Sequence, residues 1–226
     1  MAGLINNHFI IRSRSWLCVV LLLVSSGYAQ LASAQTDISD VSKLQAVNRR
    51  VSVSAGPDGQ PVVHLDTAAN VGLAWIKGLT FKSGTISFRV RGKNIPQESF
   101  VGIAFHGLDD RTYDAVYFRP FNFQSPDESK RAHSVQYIDM PDHDWFLLRE
   151  KFPGRYENQL VSVPDPDGWF HVRITIAESR VSVFVNEDKQ PSLVVQKLNT
   201  RSDGRIGFWV GNSSEGDFSD LTVNPQ

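Results

Sequence analysis

One cysteine, Cys18, stands among the 226 residues, and none follows it. That excludes cysteine nucleophiles, cysteine-ligated zinc and thiol redox chemistry from everything downstream of the amino-terminal segment. Neither sign of charge is in excess: 23 Lys and Arg face 24 Asp and Glu, for a net charge of −1. With no Lys/Arg block beyond the amino terminus, no nucleic-acid partner is expected. No apolar run approaches the roughly 20 residues that a bilayer core requires, so no transmembrane anchor is expected either. Sustained 3.6-residue periodicity is missing too, which excludes a helical bundle. What remains is a chain 41% hydrophobic, 21% charged and 11% aromatic, with 14 Phe. That is the composition of a folded globular protein, not of a disordered, collagen-like or coiled-coil one.

Residues 1–34 differ from the rest. Arg12 and Arg14 precede the apolar run from Trp16 to Val24, and Ala32-Ser33-Ala34 closes the segment. A basic head, a short apolar stretch and an A-x-A site predict a cleaved signal peptide, and so export to the periplasm or beyond. Cys18 sits within the run and not at its end, which argues against a lipoprotein. A polar lead-in over 35–43 follows, and a single domain is expected over 44–226.

In that domain apolar residues alternate with period two. The apolar sets are Ile86, Phe88 and Val90; Val101, Ile103 and Phe105; Phe170, Val172, Ile174 and Ile176; Val181, Val183 and Val185; and Ile206, Phe208 and Val210. Such runs are half-buried antiparallel strands. Gly56-Pro57-Asp58-Gly59, Gly92-Lys93-Asn94 and Asn186-Glu187-Asp188 punctuate them as turns. Trp145 to Lys151 reads as a short helical turn or an irregular strand. About a dozen strands without crossover helices predict an all-β, two-sheet antiparallel jelly-roll sandwich.

The complementary alternating set should line an outer face. It comprises Gly102, Ala104 and His106 on one strand, Gly207, Trp209 and Gly211 on another, and Tyr113, Tyr117 and Arg119 on a third, with Asp114 pointing inward. Glycine inside a strand marks close approach by a ligand or by another part of the chain. A bare patch beside an aromatic fits a sugar-stacking platform; it also fits a second buried layer beneath a long loop. On the first reading Trp209 and Tyr117 stack on sugar rings. Arg119, Gln136 and His106 hydrogen-bond hydroxyls, Gly102 and Gly207 leave room, and Asn122 and Trp145 complete the set. The stretch from Gln136 to Asn158, rich in the same residue types, reads as a functional loop or as an excursion that covers a sheet edge.

Gly102 to His106, Tyr113 to Phe123, Trp169-Phe170-His171 and Ile206 to Asn212 resemble the concanavalin A-like lectin/glucanase superfamily, and within it exported bacterial domains related to the 3-keto-disaccharide hydrolase family. The resemblance spans about 49–224. It implies a jelly roll with its ligand, an oligosaccharide or polysaccharide, on the concave sheet. Members of that superfamily include sugar-binding modules and glycosidases, so either activity is open.

Glycoside cleavage ordinarily needs two carboxyl groups. Laminarinase-like relatives carry them as E-x-D-x-x-E, which Glu215 to Asp220 matches with Asp in the last place; Phe218 and Leu221 there read as core. Were the protein an enzyme, His106, Asp114, Glu150 and Glu157 would be its catalytic candidates, although His106 with Asp114 reads first as a hydrogen-bonded pair that orients loops. No cofactor and no zinc spacing are evident. Asp165-Pro166-Asp167-Gly168 is the one oxygen-rich turn that could take a structural calcium.

Overall fold

Because successive strand side chains leave opposite faces, the apolar sets build a shared interior. In β5 (Gly84–Arg91) Ile86, Phe88 and Val90 are buried and their neighbours half-buried. The same alternation runs through β10 (Phe170–Ala177) and β11 (Arg180–Val185). The structure, a computed structural model, describes residues 1–3 and 35–226. The chain divides into two units, Met1–Ala32 and Ser33–Gln226. Of the first, only residues 1–3 are described, and they carry no regular secondary structure. The expected signal peptide otherwise lies outside the described residues.

The second unit contains two seven-stranded antiparallel sheets. Sheet I runs in the order β1 (Leu44–Val47), β4 (Gly72–Phe81), β13 (Gly204–Val210), β6 (Val101–Gly107), β7 (Tyr113–Phe118), β8 (Val135–Met140) and β9 (Glu157–Asn158). Sheet II runs β12 (Leu193–Gln196), β11, β10, β5, β14 (Gly216–Pro225), β3 (Pro61–Leu65) and β2 (Val51–Ala55). This is the expected all-β jelly-roll sandwich. Aromatic pairs join the sheets: Phe208 of β13 stacks on Phe218 of β14 at 4.6 Å, and Phe118 of β7 meets Phe170 of β10 edge-on at 5.2 Å.

Sheet I departs from simple alternation. Every residue of β6 and β7 is buried, so its outer face is covered as well as its inner one. The cover comes from the segments between strands. β7 stops at Phe118, and Pro120 opens a 3-10 turn over Pro120–Asn122, a position where its fixed φ and missing N–H cost nothing. Helix α1 (Glu128–Arg131) follows. Trp145–Lys151 forms helix α2, whose first turn is capped by Asp144: its Oδ1 accepts the Leu147 N–H at 2.8 Å. The expectation of one loop from Gln136 to Asn158 needs correcting, because Gln136 and Tyr137 lie in β8, paired with β7. Their polar side chains had masked the strand pattern.

The lead-in is stitched to the sandwich. The Thr36 N–H donates to Leu221 O at 2.7 Å, and Ile38 is wholly buried in the core. Phe218 and Leu221 of the E-x-D-x-x-D stretch are likewise core residues of β14. Deleting three buried carbons at Ile38 should cost about 2–5 kcal/mol. We therefore expect Ile38→Ala to lower the urea midpoint with an unchanged slope; a loss below about 0.5 kcal/mol, the level of a surface change, would show that the lead-in does not dock.

Candidate functional site

Directly opposed residues of antiparallel strands share a face. Across sheet I one row therefore reads Leu73, Trp209, Gly102, Tyr117, Gln136, Glu157. Phe208 and Phe118, their chain neighbours, point into the sandwich, so this row belongs to the outer face. The Tyr117 and Trp209 rings meet above Gly102, with centroids 4.8 Å apart. A Cβ on Gly102 would lie 2.6 Å from Tyr117 Cα, closer than packing allows. Gly207 lies under Trp75, whose Cε3 would be 2.9 Å from such a Cβ, and Gly211 lies under Phe100 at 2.7 Å. The expected role of Gly102 and Gly207 is thereby corrected. Gly102 admits the β7 backbone, Gly207 admits the β4 backbone and the Trp75 ring, and neither leaves space for a ligand.

Arg119 packs on this layer. Its guanidinium sits 4.8 Å from the Tyr117 ring centroid and 5.7 Å from that of Phe100. It donates to Tyr117 Oη at 2.6 Å, to His133 O at 2.9 Å and to Gln136 Oε1. Tyr117 donates in turn to Gln136 Oε1 at 2.8 Å. Glu157 at the end of the row takes both Arg149 Nε and Nη2, at 3.0 and 2.7 Å, and lies 2.8 Å from His133 Nδ1. Burial pushes the Arg119 pKa down and that of Tyr117 up. Burial, with the nearby Arg149 charge, outweighs Glu157 and pushes His133 below the usual imidazole range.

Over this layer opens a cavity of about 860 Å³, within the size range of small-molecule sites. Tyr113, Tyr117 and Trp209 floor it; Phe100, Phe121, Met140 and Trp145 form walls; Arg119, Asn122, His133 and Arg149 supply polar groups. Trp209 is only 4% exposed and Tyr117 2%, so they offer edges, not open stacking faces. The open ring is Trp145, 47% exposed on α2, with Phe146 beside it at 59%. Gln136 is sealed behind Tyr117 and Arg119 and does not line the cavity, which corrects its expected ligand contact. Phe100, Phe121, His133 and Met140 were absent from the sequence-derived set. Three of them lie in connections, where alternation carries no information.

His106 is the largest correction. Strict alternation places it outward with Ala104, but its φ is +51° and the β6–β13 register shifts beside it. The side chain turns into a sealed polar cluster. Nε2 donates to Lys82 O at 2.7 Å, since a carbonyl only accepts, and Nδ1 accepts from Lys197 Nζ at 2.8 Å. Asp114, also wholly buried, lies 3.4 Å from His106, 3.6 Å from Lys197 and 3.4 Å from Arg201. It accepts hydrogen bonds from Tyr137 Oη and from Asn199 Nδ2. Burial pushes the Asp114 carboxyl up, but these partners outweigh it and hold it below the usual carboxylate range.

The four catalytic candidates do not converge. His106 and Asp114 are sealed in the interior, Glu157 is tied to Arg149 and His133, and Glu150 is exposed on α2 outside the cavity lining. Among the described residues lining the cavity the one carboxylate is Asp144, already engaged as the α2 cap. In the oxygen-rich turn, Asp167 Oδ1 accepts Asn94 N–H and Asp165 Oδ1 accepts Asp167 N–H, so backbone donors occupy those oxygens. No group of three or more His, Cys, Asp or Glu among the described residues is placed to hold a metal.

Two seven-stranded antiparallel sheets with a recessed cavity on one outer face define the class of fold, a jelly-roll β-sandwich. The comparison with solved structures agrees, since the fold is that of galectin-like and concanavalin A-like lectins. Carbohydrate-binding module CBM66 from Bacillus subtilis superposes with a TM-score of 0.54 at 9% identity, covering 79% of this chain and 93% of that one. A galectin-like-fold protein from Bacillus subtilis gives 0.54 at 14% identity, over 82% and 90%. The Emp46p carbohydrate recognition domain gives 0.52 at 16%, over 80% and 87%. No protein-family model matches the chain, and no curated protein sequence matches it.

Removing one partner from a buried charged cluster typically costs about 3–5 kcal/mol. Asp114→Asn should therefore destabilise the protein by that order at neutral pH. Because the folded-state pKa of Asp114 is depressed, its contribution is complete above the unfolded value near 3.9 and fades as pH falls through the lower folded value. The variant should lose that acid slope in denaturation curves between about pH 5 and 2. An unaltered slope would show that Asp114 is not held ionised.

Proposed function

We propose that this protein is an exported, non-catalytic carbohydrate-recognition protein that binds a saccharide in the cavity over β13, β6 and β7. One observation carries the reading: a recessed cavity of about 860 Å³ joins an aromatic lining to fixed hydrogen-bond donors, with a half-exposed indole at its rim. Sugars present apolar C–H faces and hydroxyl edges. A flat ring beside oriented polar groups satisfies both at once. Trp145 supplies the ring, while Arg119, Arg149, His133 and Asn122 supply the edge contacts. The carbohydrate-binding module and the carbohydrate recognition domain among the structural neighbours support this reading at the level of fold alone. Export rests on the amino-terminal pattern of Arg12, Arg14, the apolar run and Ala32-Ser33-Ala34. No helix among the described residues is long and apolar enough to cross a membrane.

Binding is favoured over glycoside cleavage because an acid–base pair is not assembled at the cavity. Inverting and retaining mechanisms both need two carboxyl groups facing the scissile bond, and the lining offers only the helix-capping Asp144. A glycan array followed by calorimetry tests the proposal. We expect saturable binding of an oligosaccharide without turnover. Trp145→Ala should weaken it about tenfold or more, the usual scale of an aromatic hot spot, and should leave the melting temperature within a few degrees because the ring is half exposed. Turnover of any array glycan, or an unchanged affinity in Trp145→Ala, would overturn the reading.

A further inference from the structure

The cavity is unbalanced in charge. Arg119, Arg149 and Lys130 line it against a single lining carboxylate, Asp144. Behind the lining, Glu157 is the nearest counter-ion to two guanidiniums at once. It holds Arg149 through two hydrogen bonds, and its closest approach to Arg119 is 3.9 Å. Arg119 is 5% exposed, yet its hydrogen-bond acceptors are uncharged: a phenol, an amide and a backbone carbonyl. A guanidinium removed from water normally has a carboxylate or comparable anion hydrogen-bonded to it, whereas Arg119 has only the ion pair with Glu157, a carboxylate whose hydrogen bonds go to Arg149. Asp114 shows the compensated arrangement in the same protein, with Lys197 and Arg201 both within 3.6 Å.

Resting on the saccharide reading, we propose that the ligand is acidic, an oligosaccharide containing uronic-acid residues. A sugar carboxylate enters at the Arg119 end of the cavity while a neighbouring ring lies on Trp145. A guanidinium donor suits a carboxylate better than it suits a hydroxyl; with three of its five donors placed on His133 O, Tyr117 Oη and Gln136 Oε1, Arg119 keeps two for an incoming carboxylate, held in a set plane by its stacking on Tyr117. Lys130, exposed on α1, adds attraction at the mouth and makes the association salt-dependent. His133 faces Glu157 at 2.8 Å, and burial pushes its pKa down, so it is not counted among the cations.

The test uses matched pairs of tetrasaccharides titrated into the full-length mature chain: oligoglucuronate against oligoglucose, oligogalacturonate against oligogalactose, and oligomannuronate against oligomannose, with a sulfated neutral set alongside. In at least one pair the uronate should bind about tenfold or more tightly, the scale of a charge-assisted hydrogen bond, and the advantage should shrink on raising salt from 50 to about 500 mM as the Debye length contracts. Arg119→Met should weaken neutral binding through the lost hydroxyl contact but uronate binding far more, so that the uronate advantage within each pair falls about tenfold. Should Arg119→Met fail to fold, Lys130→Ala, at an exposed position, should still lower uronate affinity several-fold and flatten its salt dependence. Neutral sugars binding as well as uronates in every pair would overturn the acidic assignment and leave the saccharide reading standing. Tighter binding of the sulfated set than of any uronate would overturn the carboxylate in favour of another anion. No binding by any probe would overturn both proposals together.

Discussion

The Phe208–Phe218 and Phe118–Phe170 pairs lock the two sheets face to face, and the rest of the molecule follows from that contact. A strand that commits alternate residues to the interior must send the remainder outward. Once Phe208 and Phe118 are interior, Trp209, Tyr117 and Arg119 have one face left to occupy. Chain segments between strands then cover that face, so that β6 and β7 are buried on both sides. The covering is incomplete, and the cavity is where it stops.

Glycine shapes the outer layer by what it admits. Opposite Gly102 the adjacent strands carry Tyr117 and Trp209, whose rings lie 4.8 Å apart, and the missing Cβ lets the β7 backbone approach. Those rings become a rigid floor, and the accessible aromatic surface moves to Trp145 on a helix beyond the sheet. Sheet I thus carries a buried charged group on each face. On the inner face Asp114 is surrounded by cations and donors in a sealed cluster that anchors the connection after β12. On the outer face Arg119 has neutral acceptors and borders open volume. The first arrangement stabilises; the second is the one on which the proposed ligand contact rests.

Much of the architecture was legible along the chain. The apolar sets of β5, β6, β10, β11 and β13 were each read with the correct inward face, because burial imposes a strict two-residue rhythm. Pro120 announced the end of β7 through its fixed φ. The inward direction of Asp114 and the outward direction of Tyr117, Arg119 and Trp209 followed from the same rhythm. Alternation failed at His106, where a left-handed residue breaks the rhythm within the strand, and at Gln136–Tyr137, where polar side chains buried by partners imitate a loop. Those failures share a cause. A polar residue is buried only when distant partners satisfy it, and local pattern does not contain them.

By itself, then, the amino-acid order determined the class of fold, the inward face of most strands and the presence of an aromatic–guanidinium layer on the opposite face. These properties depend on periodicity and turn chemistry, which act over a few residues. Only the tertiary structure decided that Gly102 lies beneath two rings, that His106 and Asp114 belong to the interior, that Glu157 serves Arg149 first, and that Trp145 is the open ring. Each of those outcomes needs residues far apart in sequence to meet, and exposure and charge balance exist only once they have met.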